Sequence, residues 1–329
     1  MRTAVVGIVL VAVGALLRMS STVGLIFAIG ILAAGGAGMA GPSVLMAATT
    51  RLVAPEKCAM ATGVVNAGGS FGQFIFAPLA QTITTASGWV AAVQTLGLLT
   101  LLALPAAWAL RGLPQAPATA GAPPRVGTRE AVRVALADRS FRLLAAGFFV
   151  CGFHVAFLAT HLPGVVASCG LPPEVGAWSL AMLGLLNIVG SVGIGLLMGW
   201  RKGRLPMKHL LVAIYLIRAV AVLAFVLTPK STPVMLLFAA VMGLTFLSTV
   251  PPTAELVARF FGPANMATLF GLVMVTHQIG GFLGAWLGGK VFEANGSYDW
   301  IWYADIMLAL AAALIHLPIQ ERRPVPSAA

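Results

Sequence analysis

Residues 60–80 read MATGVVNAGGSFGQFIFAPLA and contain no charged side chain. Three glycines, Gly68, Gly69 and Gly72, lie within five residues of one another. Such a cluster is typical either of a phosphate-binding loop or of a helix face that another helix contacts closely. Apolar residues flank the cluster on both sides, and about 20 of them are enough to cross the hydrocarbon core of a bilayer. The stretch therefore predicts a membrane-spanning helix, with Gly68 and Gly72 on a packing face.

The composition of the whole chain indicates an integral membrane protein. Of its 329 residues, 59% are hydrophobic and 9% are charged, and the mean hydropathy is +0.97. A soluble domain carries about 25% charged residues, so this chain cannot cover itself with a polar surface. The formal net charge of +11 then belongs to loops at the membrane surface, and no nucleic-acid partner is expected.

Ten apolar stretches are long enough to be membrane-spanning helices. They cover residues 3–19, 22–48, 58–84, 89–110, 141–162, 174–199, 209–228, 233–256, 267–289 and 298–319. The third and fourth are separated at residues 84–89, TTASGW, where Ser and Gly favour a turn. The first also resembles a secretory signal, but no clean cleavage site follows it, and we expect a retained helix.

The distribution of basic residues orients these spans. On an alternating path, sixteen of the 20 Arg and Lys residues fall on one side of the membrane and three on the other, while Arg218 lies within a span. Cytoplasmic loops are enriched in Arg and Lys. The sequence therefore predicts a multi-pass protein of the cell (inner) membrane with both termini cytoplasmic.

Residues 111–140 form a long polar stretch rich in Pro, Ala and Arg, which predicts a cytoplasmic linker. It divides an N-terminal bundle of four spans, 1–110, from a C-terminal bundle of six, 141–329. A short amphipathic helix is expected from Thr128 to Ala137, at the end of the linker.

The second bundle repeats motifs of the first. NAGGSFG at 66–72 matches QIGGFLG at 278–284, and RLVA at 51–54 matches ELVA at 255–258. The first match pairs Asn66 with Gln278, Gly68 with Gly280, and Gly72 with Gly284; Gly288 extends the second packing face. Duplicated halves are typical of transporters. Spans 5 and 6 have no partner in the first half, so the expectation is a protein of six plus six helices that lacks its first two.

On these motifs the chain resembles the major facilitator superfamily, and within it bacterial relatives of monocarboxylate porters and oxalate/formate antiporters. The residues that carry the likeness lie at 38–80, 147–164, 201–211 and 266–289. The resemblance implies an all-α, two-bundle fold in which the ten spans correspond to helices 3 to 12. It implies a monomeric secondary transporter of a small organic solute, an organic anion being one option, moved with protons or a counter-solute and without a cofactor. Those relatives are expected to carry an Arg in the helix at 174–199, where this chain has only Asn187 and Ser191.

Polar side chains within the spans are the candidate substrate-cavity residues, because polar groups are costly in a bilayer. His154 and His161 lie seven residues apart, hence on one helix face, and the resemblance places that helix beside the central cavity. The other candidates are Asn187, His277, Gln278, Gln73 and Asn66. For each, a hydrogen bond between helices is the alternative interpretation.

Charged residues suggest structural roles. We expect Arg218 to have a structural partner or to extend toward the interface, with substrate binding as the alternative. We expect Asp305 to be hydrated near the outer interface. Glu255 and Arg259, one turn apart, form either a gating salt bridge or a solvated helix end, and Arg51 occupies the corresponding place in the first bundle.

Other classes of function find little support in the sequence. The His and Cys residues show no metal-binding spacing, no phosphate-loop motif is present, and a hydrolase would have only Asp305 as its buried acid. No enzyme, metal or cofactor is therefore expected. The alternative to a transporter is a truncated, non-transporting membrane protein: a mis-annotated start, a pseudogene product or a scaffold.

Overall fold

A computed structural model describes residues 2–17, 21–41, 44–45, 58–109, 127–199, 205–262 and 266–321. Within these ranges all regular secondary structure is helical. The chain divides into two compact units, Met1–Ala120 and Gly121–Ala329, which we call unit 1 and unit 2 and describe separately.

Unit 1 contains four described helices. They are α1 (Arg2–Leu16), α2 (Thr22–Ala40, with a π-helical stretch at Ile26–Ala33), α3 (Cys58–Thr100) and α4 (Ala103–Ala109). Gly88 interrupts α3 with a φ of 84° and a ψ of 163°. Glycine tolerates this region of backbone space, which other residues rarely enter. The break lies at the predicted TTASGW turn and divides α3 into the two predicted spans.

Glycines bring α1 and α2 together. A Cβ at Gly7 would lie 2.6 Å from the carbonyl oxygen of Gly36, so the two backbones are in direct contact. By contrast, a Cβ at Gly68 would meet no described atom within 4 Å, and one at Gly72 would meet only Phe76 of the same helix. The described residues of unit 1 therefore show close helix packing at Gly7 and Gly36, and not at the two glycines singled out from the sequence.

Unit 2 contains eight described helices. They are α5 (Thr128–Ala137), α6 (Arg139–Ser168), α7 (Pro173–Gly199), α8 (Met207–Leu227), α9 (Thr232–Thr245), α10 (Val250–Phe261), α11 (Met266–Asn295) and α12 (Asp299–His316). The short helix α5 has the predicted bounds. Because α9 and α10 follow one another in a single span, the helices from α6 to α12 give the six spans predicted for this half.

Eight segments of the described residues are long and apolar enough to cross a bilayer. Counting α3 as two spans across Gly88 and adding the shorter apolar helix α1 gives ten. This number agrees with the ten spans predicted from the sequence.

The centre of unit 2 is a close contact between α6 and α11. A Cβ added to Gly280 or Gly284 would lie closer than 3.0 Å to the carbonyl oxygens of Phe149 and Phe153, respectively. On the other side of the contact, Gly152 of α6 meets the carbonyl of His277 in the same way. Gly288 faces the ring of His161, so all three of these α11 glycines lie against α6.

Two apolar clusters fill unit 2 at different levels of its helices. One contains Phe157, Phe225, Phe238 and Trp302. The other contains Phe141, Phe148, Tyr215 and Leu256. Along α8 and α12 a few residues separate the two clusters, and on α6 the clusters adjoin at Gly152. The site described below lies at this level.

Candidate functional site

Buried polar side chains form a layer between the two apolar clusters of unit 2. They come from most of the spanning helices: Cys151 and His154 from α6, Asn187 from α7, Arg218 from α8, Thr245, Ser248 and Thr249 from α9 and its connection to α10, His277 from α11, and Asp305 from α12. Ionisable groups inside a membrane span are costly and generally mark a functional site. We call this set the polar layer.

A break in a spanning helix lies within the polar layer. Residues 246–249 separate α9 from α10 and are not α-helical. Pro251 and Pro252 occupy the first turn of α10, and proline has no N–H to donate to the carbonyl four residues earlier. The break therefore lies directly before the two prolines.

Side chains from three neighbouring helices bind the polar groups at the break. Arg218 donates from Nη2 to the carbonyl of Phe246 at 2.8 Å and also to the carbonyl of Thr245. Asn187 accepts a hydrogen bond from the N–H of Leu247 at 2.9 Å. Backbone groups in lipid need a partner inside the protein, and these side chains supply what the missing helical turn does not.

The third contact is made by a cysteine. Sγ of Cys151 on α6 lies 3.0 Å from Oγ1 of Thr249, within hydrogen-bonding distance. Cys151 is fully buried. The break is thus held from α6, α7 and α8 at once, although the sequence analysis assigned no role to this cysteine.

Arg218 is buried beside the break. The residue is 1% exposed, and its guanidinium is hydrogen-bonded to the backbone there. Its Nη1 has no hydrogen-bond partner among the described residues. The cation therefore retains one donor within the polar layer.

Asp305 and His154 form a buried pair. Nε2 of His154 lies 3.1 Å from Oδ1 of Asp305, and the two side chains are 1% and 0% exposed. The expectation that Asp305 is hydrated is therefore wrong, because α12 packs against α6 and α8 and places this carboxyl in the interior of unit 2. A signal was available in the sequence, since both residues lie near the middle of their spans.

The remaining candidate residues of unit 2 fall into two groups. His161 and Asn187 bind backbone groups of other helices, His161 through Nε2 to the carbonyl of Ala285 at 2.7 Å. His277 is buried, with Nδ1 3.1 Å from Oε1 of Gln278, whereas Gln278 itself is exposed. His277 thus belongs to the polar layer, and Gln278 lies at the surface of α11.

The candidates in the first half are less defined. Gln73 is partly buried on α3. The side chain of Asn66 and the whole of Arg51 lie outside the described residues. Their predicted roles stay predictions.

The salt bridge between Glu255 and Arg259 is present at 2.8 Å, and it extends further than predicted. Arg259 also contacts Glu321, with Nη1 3.1 Å from Oε2. The other oxygen of Glu321 accepts a hydrogen bond from the backbone N–H of Lys208 at the start of α8. Sequence spacing could not reveal Glu321, because 62 residues separate it from Arg259.

In the part of the chain that the structure describes, no three His, Cys, Asp or Glu side chains are grouped so as to hold a metal ion. The polar layer therefore offers a guanidinium, two imidazoles, an amide, a carboxyl, a thiol and hydroxyls. Such groups are suited to binding protons or small polar solutes.

Comparison with known proteins identifies relatives of the chain. The model of the Major Facilitator Superfamily matches residues 1–285 and again 197–329. Human monocarboxylate transporter 11 is 25% identical over 273 residues, which are 80% of this chain and 57% of that protein. The chain thus spans less than two thirds of that relative.

Two solved structures share the fold. A bacterial homologue of the human lysosomal transporter Spinster, inward-facing and unoccupied, superposes with a TM-score of 0.70 at 16% identity, covering 96% of this chain and 81% of the homologue. The Escherichia coli fucose:proton symporter superposes with a TM-score of 0.63 at 17% identity, covering 96% of this chain and 82% of the symporter.

Proposed function

We propose that this chain, which belongs to the Major Facilitator Superfamily, acts as a secondary transporter of a small organic solute by alternating access. The observation that carries the proposal is the break at residues 246–249 in the middle of a membrane span. Discontinuous helices near the midplane are a recurrent feature of secondary transporters. A chain that served only as a membrane anchor would have no need of one.

The break also allows α9 and α10 to move relative to each other. Its backbone groups are bound by side chains of three other helices rather than by a continuous helical ladder. Such bonds can be exchanged one at a time while the helical segments on either side stay intact. The two halves of the span, α9 and α10, can therefore change their relative angle as one side of the transporter opens.

An organic anion, with a monocarboxylate as first choice, is the solute class that we propose. Similarity to human monocarboxylate transporter 11 supports this class. The polar layer adds the cationic Arg218, whose Nη1 has no partner among the described residues. The buried carboxyl of Asp305 partly neutralises the positive charge of that guanidinium. An anionic solute is then bound weakly enough to be released.

Solute exchange in proteoliposomes tests the proposal. We expect the 329-residue chain to exchange labelled monocarboxylate for unlabelled monocarboxylate inside the vesicles, and to exchange neutral sugars more slowly. Asn187→Leu removes the partner of the Leu247 N–H and should slow the exchange, whereas Thr228→Val, at the exposed end of α8, should not. No exchange of any solute in a broad panel would reject the transporter and favour a non-transporting membrane protein.

A further inference from the structure

We propose that His154 and Asp305 form a proton-binding site whose occupancy acts through Arg218 on the break between α9 and α10. The inference rests on the proposed function and names its coupling ion. The two side chains come from different helices, α6 and α12, and meet at 3.1 Å in the polar layer. Both are shielded from solvent, with exposures of 1% and 0%.

The surroundings of His154 and Asp305 favour the binding of a proton by the pair. Apart from their mutual contact, Nδ1 of His154 and both oxygens of Asp305 are buried without a hydrogen-bond partner among the described residues. A buried ionised group without partners is strongly destabilising, and it is commonly neutralised by gaining or losing a proton. Two apolar side chains of similar size would fill the same space equally well. Unlike them, the pair can bind a proton.

The charge balance of the step is simple. With neutral His154 and ionised Asp305 the pair carries one negative charge, which offsets the positive charge of Arg218. One proton, delivered by a hydronium ion of the aqueous phase that is left as water, then bonds to Nε2 of the imidazole, facing Oδ1, and the net charge of the pair becomes zero. No other bond forms or breaks, no electron is transferred, and the layer gains one positive charge.

Arg218 connects this change to the break. Arg218 lies on α8, which packs against α12, and it is buried in the same layer as the pair. Charges in such a poorly solvated region interact more strongly than in water. The guanidinium of Arg218 donates hydrogen bonds to the carbonyls of Thr245 and Phe246. When the pair carries no net charge, the imidazolium offsets the carboxylate, the net attraction of the pair for the guanidinium weakens, and the interaction of the guanidinium with the carbonyls of the break changes.

The other titratable groups of this region have contacts of their own. Cys151 of α6 contacts Thr249, and His277 of α11 has Nδ1 3.1 Å from Oε1 of Gln278. Tyr215 of α8 donates its hydroxyl to the carbonyl of Gly147. The helices α7, α9 and α10 bring only Asn187, Thr and Ser into the layer, so Asp305 is the carboxyl of the layer among the described residues.

Two transport modes separate this inference from the proposed function. Exchange of labelled for unlabelled solute needs no net proton movement, whereas accumulation driven by a pH gradient does. A gradient of about one pH unit should drive about tenfold accumulation when one proton accompanies each solute. We expect Asp305→Asn and His154→Gln to abolish accumulation, compared in the same vesicles with the rate of exchange that each variant retains.

The control is a carboxyl on the same helix. Asp299 lies exposed at the start of α12, and Asp299→Asn should keep both exchange and about tenfold accumulation. If Asp305→Asn accumulated solute as the wild type does, the proton site would be rejected while the transporter proposal stood.

A direct titration decides the proton site even if the wild type transports nothing. Between about pH 8 and about pH 5, purified wild-type protein in unbuffered detergent solution should take up one proton more than the His154→Gln/Asp305→Asn double variant, with both samples monodisperse by size exclusion. Equal proton uptake would overturn the inference. If the wild type exchanged no solute but took up the extra proton, only the proposed function would be contradicted.

Discussion

Asn187 shows how a single amide can hold an interrupted helix. Its carbonyl oxygen accepts the N–H of Leu247 from another helix and the hydroxyl of Ser191 from its own. The residue is 1% exposed, so water cannot replace either bond. The amide was predicted as a cavity residue, and the contact with Leu247 corresponds to the alternative, a hydrogen bond between helices.

Replacing this amide with an apolar side chain of similar size should destabilise unit 2. Asn187→Leu leaves the N–H of Leu247 buried without that acceptor, and an unpaired buried donor costs about 1–3 kcal/mol. The free energy of unfolding, measured by denaturant titration in detergent, should fall by that amount.

Ser191→Ala is the matched control, because it removes a hydroxyl that bonds Asn187 at 3.3 Å and does not touch the break. Its effect should stay below about 1 kcal/mol. Equal losses for the two variants would show that the contact with Leu247 has no special weight.

At the scale of helices, the contact between α6 and α11 depends on glycine. The carbonyls of Phe149 and Phe153 occupy the space where side chains of Gly280 and Gly284 would stand. Small residues allow this approach in membrane helices, where association relies on close packing rather than on the hydrophobic effect.

A methyl group at the contact should separate the helices. Gly284→Ala places a Cβ against backbone that cannot rotate away, and we expect it to lower the free energy of unfolding by about 1–3 kcal/mol. Gly271→Ala on the same helix meets nothing within 4 Å and should be neutral or stabilising by up to about 1 kcal/mol, since alanine favours helix. Unfolding titrations of the two variants compare them directly, and a stable Gly284→Ala protein would contradict the tight contact.

Helix positions could be predicted from the sequence because they depend on local patterns. The length of the apolar stretches predicted the spans, and the Ser-Gly turn predicted the break at Gly88. Partners across helices could not be predicted in this way. The pairing of His154 with Asp305 depends on how two helices rotate about their axes, and hydropathy contains no information about rotation.

For the whole molecule, the asymmetry of Arg and Lys predicts the orientation in the membrane. Both termini should be cytoplasmic, and the loop that contains Lys230, between α8 and α9, should lie outside. In bacterial cells, a fluorescent protein fused at Ala329 should fluoresce and alkaline phosphatase fused there should be inactive.

A fusion of alkaline phosphatase directly after Lys230 is the control for this orientation. The phosphatase should be active at this position, because the preceding spans deliver it to the outer side. The reverse pattern at the two positions would show that the charge count assigns the wrong side.

The seam between α6 and α11 has a further consequence for how unit 2 can deform. Helices that interlock through bulky side chains resist small displacements, because their ridges must leave one set of grooves and enter another. Here carbonyl oxygens rest on glycines over two turns, and few rotamers have to change when one helix slides along the other. We expect α6 and α11 to slide along each other with little resistance. The hydrogen bond from His161 to the carbonyl of Ala285 fixes their relative position in this structure.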